Sequence, residues 1–298
     1  ARLRNEARGR GRPFDEVLQY FAMERFLYRL SGTDHARKLI LKGALMFVVW
    51  DAPTGRPTRD IDLLGFGDPA PDSVAGIMRD ACHVDGGGDG MEFDPGTVRA
   101  DRIRLEAEYE GVRGEVWGNL GKTRVRVRVD VGFGDATTPP PVLVDYPVIL
   151  DLPAPRLRGY TRESVVAEKF EAMVALGRIN SRMKDFYDVW FLSGAFDFDG
   201  ASLARATEAT FGRRLTNVPS EPLPLSDEFA SETEKAVQWT AFVSRTGLAE
   251  LAPRGFEDVV RALRRFLGPI STALADGKTF DGTWTAPGPW EPAGRKKN

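Results

Sequence analysis

Between Arg124 and Val131 the chain alternates without interruption: Val125, Val127, Val129 and Val131 fall on one side of an extended strand, Arg124, Arg126, Arg128 and Asp130 on the other. A period of two predicts a strand with one face in a core and one polar face, and Asp130 belongs to the polar face. Strands are also expected at Arg104 to Tyr109 and at Val112 to Trp117, with a turn at Asn119 to Lys122. Leu39-Ile40-Leu41 predicts a short strand that turns at Gly43 into an apolar helix from Ala44 to Trp50. After the turn residues Pro53-Thr54-Gly55 a further strand is expected through Arg59-Asp60-Ile61-Asp62-Leu63-Leu64. Elsewhere the period lengthens. Val17, Leu18, Phe21, Leu27 and Leu30 recur at helical spacing between Pro13-Phe14-Asp15 and the stop Ser31-Gly32-Thr33, and residues 71–83 read as a second helix before the break Gly86-Gly87-Gly88-Asp89-Gly90. Pro139-Pro140-Pro141 and Leu152-Pro153-Ala154-Pro155 mark the end of the sheet-forming region, and from Thr161 the pattern is helical for about a hundred residues. The expectation is an α/β (α+β) chain: residues 1–155 a sheet domain with an N-terminal basic arm and helix, 156–275 a helical domain, 276–298 an extended or disordered tail.

Composition narrows the function more by exclusion than by suggestion. At 298 residues and 42% hydrophobic content the chain is long enough for two cores. A formal charge of −2 advertises no polyanion partner, so any nucleic-acid surface must be a local patch; candidates are the arginines at 2, 4, 8, 10 and 12 and the group Arg254, Arg261, Arg264 and Arg265. Taken alone, each reads first as a solvated face. One cysteine, Cys82, forbids an internal disulfide, and with His35 and His83 alone no zinc cluster can be built. No apolar run reaches the roughly 20 residues of a membrane span, because Lys42 interrupts Leu39 to Trp50. A soluble, cytoplasmic protein with no membrane partner is expected, acting as a monomer.

Asp60 and Asp62 project to one side of their strand while Ile61 and Leu63 point inward. Two like charges on one face of a half-buried strand are tolerated most readily with a cation between them, and carboxylate oxygens favour Mg²⁺, with Mn²⁺ the alternative. Asp130, polar on its own strand, can join them in a metal-holding triad that bridges a triphosphate and an attacking hydroxyl. Ordinary solvent-facing acids, paired with Arg59 or Arg126, are the plainer alternative. Lys169 shares a helical stripe with Val165, Val166, Phe170, Met173 and Val174, behind the N-cap Thr161; it either snorkels to water or binds phosphate. Arg182 and Asp185 form an ion pair at helical spacing, or Asp185 orients Lys169 or the nucleophile. Gly43 is either a turn or a point of backbone approach to a phosphate.

Four blocks occur in order: Leu41-Lys42-Gly43-Ala44-Leu45, Arg59-Asp60-Ile61-Asp62-Leu63, Val166-Ala167-Glu168-Lys169-Phe170-Glu171-Ala172-Met173 and Arg182-Met183-Lys184-Asp185-Phe186-Tyr187-Asp188. Together they resemble the AbiEii/AbiGii-type toxin family of nucleotidyltransferases. The resemblance implies a nucleotidyltransferase-fold mixed sheet with flanking helices, followed by a helical C-terminal domain, with the active site in the cleft between them. It implies catalytic roles for Asp60, Asp62, Asp130, Lys169 and Asp185, metal binding by Asp60, Asp62 and Asp130, and nucleotide contacts from Lys42, Gly43, Ala44, Arg59, Lys169, Arg182, Lys184 and Asp188. Where the family commonly has Gly-Gly or Gly-Ser, this chain has Gly43-Ala44, so no hydroxyl is offered there to the triphosphate. By resemblance to related transfer RNA nucleotidyltransferase toxins, the substrates are a nucleoside triphosphate and an RNA 3′ end, most closely the tRNA acceptor end, and the partner is a cognate antitoxin. A protein or small-molecule hydroxyl as acceptor, and a non-catalytic toxin that sequesters a partner, are the competing readings.

Overall fold

The computed structural model describes all residues except 53, 54, 56, 107, 108, 136 and 293–298, and leaves the side chains of 104–106, 109 and 110 undescribed. Two compact units emerge: residues 1–52, 57–134 and 141–160 form the first, residues 53–56, 135–140 and 161–298 the second.

The first unit begins with α1 (Arg2–Gly9) and α2 (Phe14–Ser31). The N-terminal segment expected as a basic arm is therefore helical. Leu3 and Ala7, one turn apart, are buried, and α1 packs on α2; the arginines between them hid a short apolar stripe. β1 (Leu39–Lys42), α3 (Leu45–Val49), β2 (Asp60–Gly65) and α4 (Pro71–His83) follow at the expected places. Of the expected turn before β2, Pro53 and Thr54 lie outside the described residues.

β3 (Met91–Glu106), β4 (Tyr109–Leu120) and β5 (Thr123–Phe133) form an antiparallel meander. The strand expected at Arg104 to Tyr109 straddles the change from β3 to β4, and residues 107 and 108 lie outside the described ones. β3 starts much earlier than the alternation suggested, because its register shifts between Asp94 and Arg99, around Pro95-Gly96, and the shift breaks the period of two. β6 (Val142–Asp145) and β7 (Arg156–Gly159) complete the sheet in the order β3-β4-β5-β2-β1-β7-β6. The prolines at 153 and 155 thus do not close the sheet-forming region: β7 follows them and pairs parallel with β1. At four residues, with exposed arginines alternating with buried Leu157 and Gly159, it is too short to announce itself.

Helices α2 and α4 cover one face of this mixed sheet. Ile61, Leu63, Val127, Val129 and Val131 point into that core, and Gly114 sits under Met78 of α4, whose sulfur occupies the space a Cβ would need. The remaining polar positions of β4, β5 and β2 therefore share the other face.

The second unit contains α5 (Arg162–Leu176), α6 (Met183–Ala195), β8 (Phe198–Asp199), α7 (Gly200–Arg213), α8 (Asp227–Ala230), α9 (Thr233–Thr246), α10 (Phe256–Ala275), β9 (Thr283–Trp284) and β10 (Trp290–Glu291). Its core is aromatic: Phe186 of α6 stacks on Phe229 at 5.9 Å and meets Phe256 edge-on at 5.0 Å. The tail after α10, up to Pro292, is extended and tied down. β8, β9 and β10 form a small sheet, Trp284 and Trp290 both pack on Phe266, and each indole N–H donates to a backbone carbonyl, of Ser193 and Phe266 respectively.

Candidate active site

The site in the first unit is a set of register positions. β2 and β5 run parallel with Asp62 opposite Asp130 and Asp60 opposite Arg128. β4 continues the first row with Arg113 opposite Asp130 and the second with Glu115 opposite Arg128, while β1 places Lys42 opposite Asp62. Residues opposite one another project to the same face. One row therefore reads Arg113, Asp130, Asp62, Lys42, and the next reads Glu115, Arg128, Asp60. All three predicted acids are brought together on neighbouring strands.

The acids are not equivalent. Asp130 is buried, and Arg113 grips it with two parallel hydrogen bonds, Nε to Oδ1 at 2.7 Å and Nη2 to Oδ2 at 2.6 Å. That bond raises the guanidinium of Arg113 above its ordinary range despite partial burial. Asp60 meets Arg128 at 3.2 Å, and Arg128 also donates to Glu115 at 2.9 Å. Asp62 lies against the backbone of Gly43, where φ is +67° and a Cβ would fall 2.8 Å from Asp62 Cγ. A side chain there would displace the carboxylate.

The other predicted contacts of this unit fall close by. Lys42 places its ammonium 5.6 Å from the centre of the Tyr160 ring. Ala44 precedes α3 without any side-chain cap, as its methyl dictates. Arg59 is exposed; its carbonyl, with that of Arg126, accepts from the Gln19 amide, which ties α2 to the edges of β2 and β5.

The second unit holds a separate charged cluster. Thr161 caps α5 by accepting from the Ser164 amide, and two turns on Lys169 donates to Asp185 at 2.6 Å and pairs with Asp188 at 2.9 Å. Arg182 approaches the other oxygen of Asp185 at 2.7 Å. Asp185 therefore both pairs with Arg182 and holds Lys169. Burial alone would push the Asp185 carboxyl up; Lys169, Arg182 and Lys184 outweigh it and hold the group well below the usual carboxylate range. Lys184 itself is exposed. The entry to α6 is fixed by Lys235, buried, whose ammonium donates to the carbonyls of Arg178 and Asn180, while the Asn180 side chain accepts from the Arg182 amide. Behind α5, Arg214 bridges Glu171 at 2.7 Å and Asp135 at 3.1 Å, and the Thr216 hydroxyl donates to Glu171. Lys169 is thus carried on an anchored helix.

Reading by residue type missed Arg113, Glu115 and Arg214. The first two had a usable signal, since they are the polar positions of the expected strand Val112 to Trp117. Arg214, beyond the end of α7, had none.

A divalent cation fits this chain in part. Asp60 and Asp62 share a face, and the Asp62 carboxylate stands in the place that a Gly43 side chain would take. Asp130 already gives both oxygens to Arg113, and among the described residues no group of three or more His, Cys, Asp or Glu is gathered as a metal would gather them. Asp60 and Asp62 would hold the ion first; Asp130 would join only by exchanging Arg113.

No curated protein matches the chain. Among solved structures, the JHP933 protein of Helicobacter pylori is similar with a TM-score of 0.49 at 12% identity, covering 88% of this chain and 92% of that one. A second H. pylori protein, described as a candidate nucleotidyltransferase, is similar at 0.47 and 13%, covering 88% and 95%. Among the described residues no helix is long and apolar enough to cross a membrane. The model of the family described as nucleotidyl transferase AbiEii toxin, type IV toxin–antitoxin system, matches residues 25–264. That stretch is well over half of the chain and includes all four sequence blocks, so this protein belongs to the AbiEii toxin family and is a nucleotidyltransferase.

Proposed function

We propose that the chain transfers a nucleoside monophosphate from a nucleoside triphosphate to the 3′ hydroxyl of an RNA, the acceptor end of tRNA, in a Mg²⁺-dependent reaction that blocks translation in the cytoplasm until an antitoxin intervenes. The observation that carries this reading is the placing of Asp60, Asp62 and Asp130 on one face of two adjacent parallel strands. In the transfer, the hydroxyl oxygen forms a bond to the α-phosphorus, the bond to the bridging oxygen breaks, and pyrophosphate leaves; the hydroxyl proton passes to a carboxylate or to water. When bound, Mg²⁺ supplies polarisation of the hydroxyl and neutralises the triphosphate. Asp60 and Asp62 would hold the ion, Arg113 and Arg128 limit the repulsion among the acids, and Gly43, by lacking a side chain, leaves the Asp62 carboxylate its place. In the helical unit we assign Lys169 a phosphate contact, its ammonium aimed by Asp185 and Asp188.

The test is incubation with each of the four labelled triphosphates and a mixed tRNA pool, beside protein and small-molecule fractions. Incorporation into tRNA, lost in Asp60→Ala and Lys169→Ala variants that still fold, is the expected result. Label in the protein or small-molecule fraction alone would move the acceptor. Toxicity that survives Asp60→Ala, with no label transferred to anything, would leave a sequestering toxin.

A further inference from the structure

The polar face of β5 carries an arginine at every second position, Arg124, Arg126 and Arg128, and ends at Asp130. Alternate residues of a strand are about 7 Å apart, so the series forms a ladder of guanidiniums that climbs from the β4–β5 turn to the carboxylates. Its rungs differ. Arg128 is held by Glu115 and Asp60, and Arg126 reaches Glu115 at 3.4 Å. Arg124 instead lies 4.2 Å over the ring of Trp117, with Arg126 5.8 Å from the same ring. Among the described residues neither Arg59 nor Arg124 has a carboxylate partner, and both are exposed. Arg59, Trp117, Arg124, Arg126 and Arg128 line one groove of about 780 Å³, and Gln19 and Asp60 are part of its wall.

We propose that this groove docks the single-stranded 3′ end of the acceptor RNA, with a base stacked on Trp117 and phosphates held by Arg59 and Arg124. The proposal rests on the RNA-acceptor reading above and adds where the acceptor lies. A volume of this size suits a short strand, not a duplex. An aromatic ring set among arginines at regular steps is the equipment of a sequence-tolerant single-strand site, stacking any base by its π-face while cations track the backbone. An acidic peptide is the poorer fit, because carboxylate side chains have no π-face to lay on Trp117; the acids that also border the groove, Asp60, Asp15 and Glu16, oppose either polyanion alike, and Glu16 is already paired with Arg12. The other arginine groups are differently engaged: Arg4 lies 5.6 Å from the centre of the Phe14 ring, but Arg10 and Arg12 pair with Glu6 and Glu16, and Arg261 and Arg264 pair with Asp258 and Asp227.

The test uses the full chain and a short fluorescent single-stranded RNA with a free 3′ hydroxyl, followed by anisotropy without nucleotide over a range of KCl concentrations. Trp117→Ala should weaken binding on the order of tenfold or more while Trp117→Phe retains most of it. Arg59→Gln/Arg124→Gln, surface changes that leave thermal unfolding unchanged, should lower the slope of log affinity against log salt by about 1.4, that is, about 0.7 for each phosphate. Wild-type affinity and salt slope in Arg59→Gln/Arg124→Gln, or displacement of the RNA by a glutamate-rich peptide at equal concentration, overturns the groove. Failure of the underlying reading looks different: RNA binding that depends on Trp117 and Arg124, but no transfer of nucleotide to any RNA, removes the acceptor assignment and leaves the binding site. Transfer to RNA with an unchanged KM in the groove variants does the reverse.

Discussion

Gly43 and Asp62 are packed one against the other: the glycine, in the left-handed region with φ +67°, has no room for a Cβ because the Asp62 side chain occupies that position. The turn after β1 and the second acid of β2 are one structural device. The glycine that permits the turn also sets where the carboxylate can stand.

Gly43→Ala should therefore act twice. The left-handed backbone costs about 1–2 kcal/mol with a Cβ, and the methyl group must push Asp62 aside. The expected outcome is a modest loss of stability by urea unfolding together with loss of transfer activity that rising Mg²⁺ only partly restores. An active variant with the wild-type Mg²⁺ dependence would separate Asp62 from the site.

Arg113→Ala leaves Asp130 buried without its two hydrogen bonds. Because Arg113 is itself about one-third exposed, the loss is expected at about 1–3 kcal/mol, below that for a fully buried pair. In a double-mutant cycle with Asp130→Asn, each change should cost less in the presence of the other. Strict additivity in chemical denaturation would mean that the pair is not coupled.

Lys169→Met removes the cation shared by two buried acids, and about 3–5 kcal/mol of stability should go with it. The folded pKa of Asp185 is depressed, so its contribution is present above the unfolded value of 3.8 and is lost as pH falls below it. The difference in stability between wild type and Lys169→Met should accordingly narrow in urea titrations below about pH 4. A gap constant from neutral to acid pH would assign the loss to packing alone.

Glu24, buried in α2 beside Arg25, behaves in the opposite sense. Burial pushes its carboxyl up to about 7, against the Ile149 amide and Arg25, which pull it down. The folded state then holds the proton more tightly than the unfolded state, so stability should fall as pH rises from about 4.5 to about 7, by up to about 3 kcal/mol. Glu24→Gln keeps an acceptor for the Ile149 amide and cannot ionise. Chemical denaturation across this range should show a flatter profile for the variant; equal slopes would remove Glu24 as the source.

Much of the sheet was legible because its strands keep their period. β5 and β2 show their polar faces in the sequence, and the helix at 71–83 was bounded by Pro71 and the glycine run. What escaped had physical reasons. β3 lost its alternation at a bulge, β7 is four residues long, and the N-terminal helix has its two apolar residues buried among arginines. For the candidate site, the residue types suggested the acids and Lys169. Their partners did not follow from spacing, because Arg113 with Asp130 and Arg128 with Asp60 are cross-strand pairs, 17 and 68 residues apart, created by register.

That dependence on register gives the sheet a parity rule. Shifting β2 by one residue against β5 would send Asp60 and Asp62 to the helix-covered side and bring Ile61 and Leu63 out among arginines. A shift of two would keep the faces but give every acid a different neighbour. Within these strands single-residue insertions and deletions are thus the most damaging class of change, whereas in the turns an odd residue can be absorbed without inverting anything.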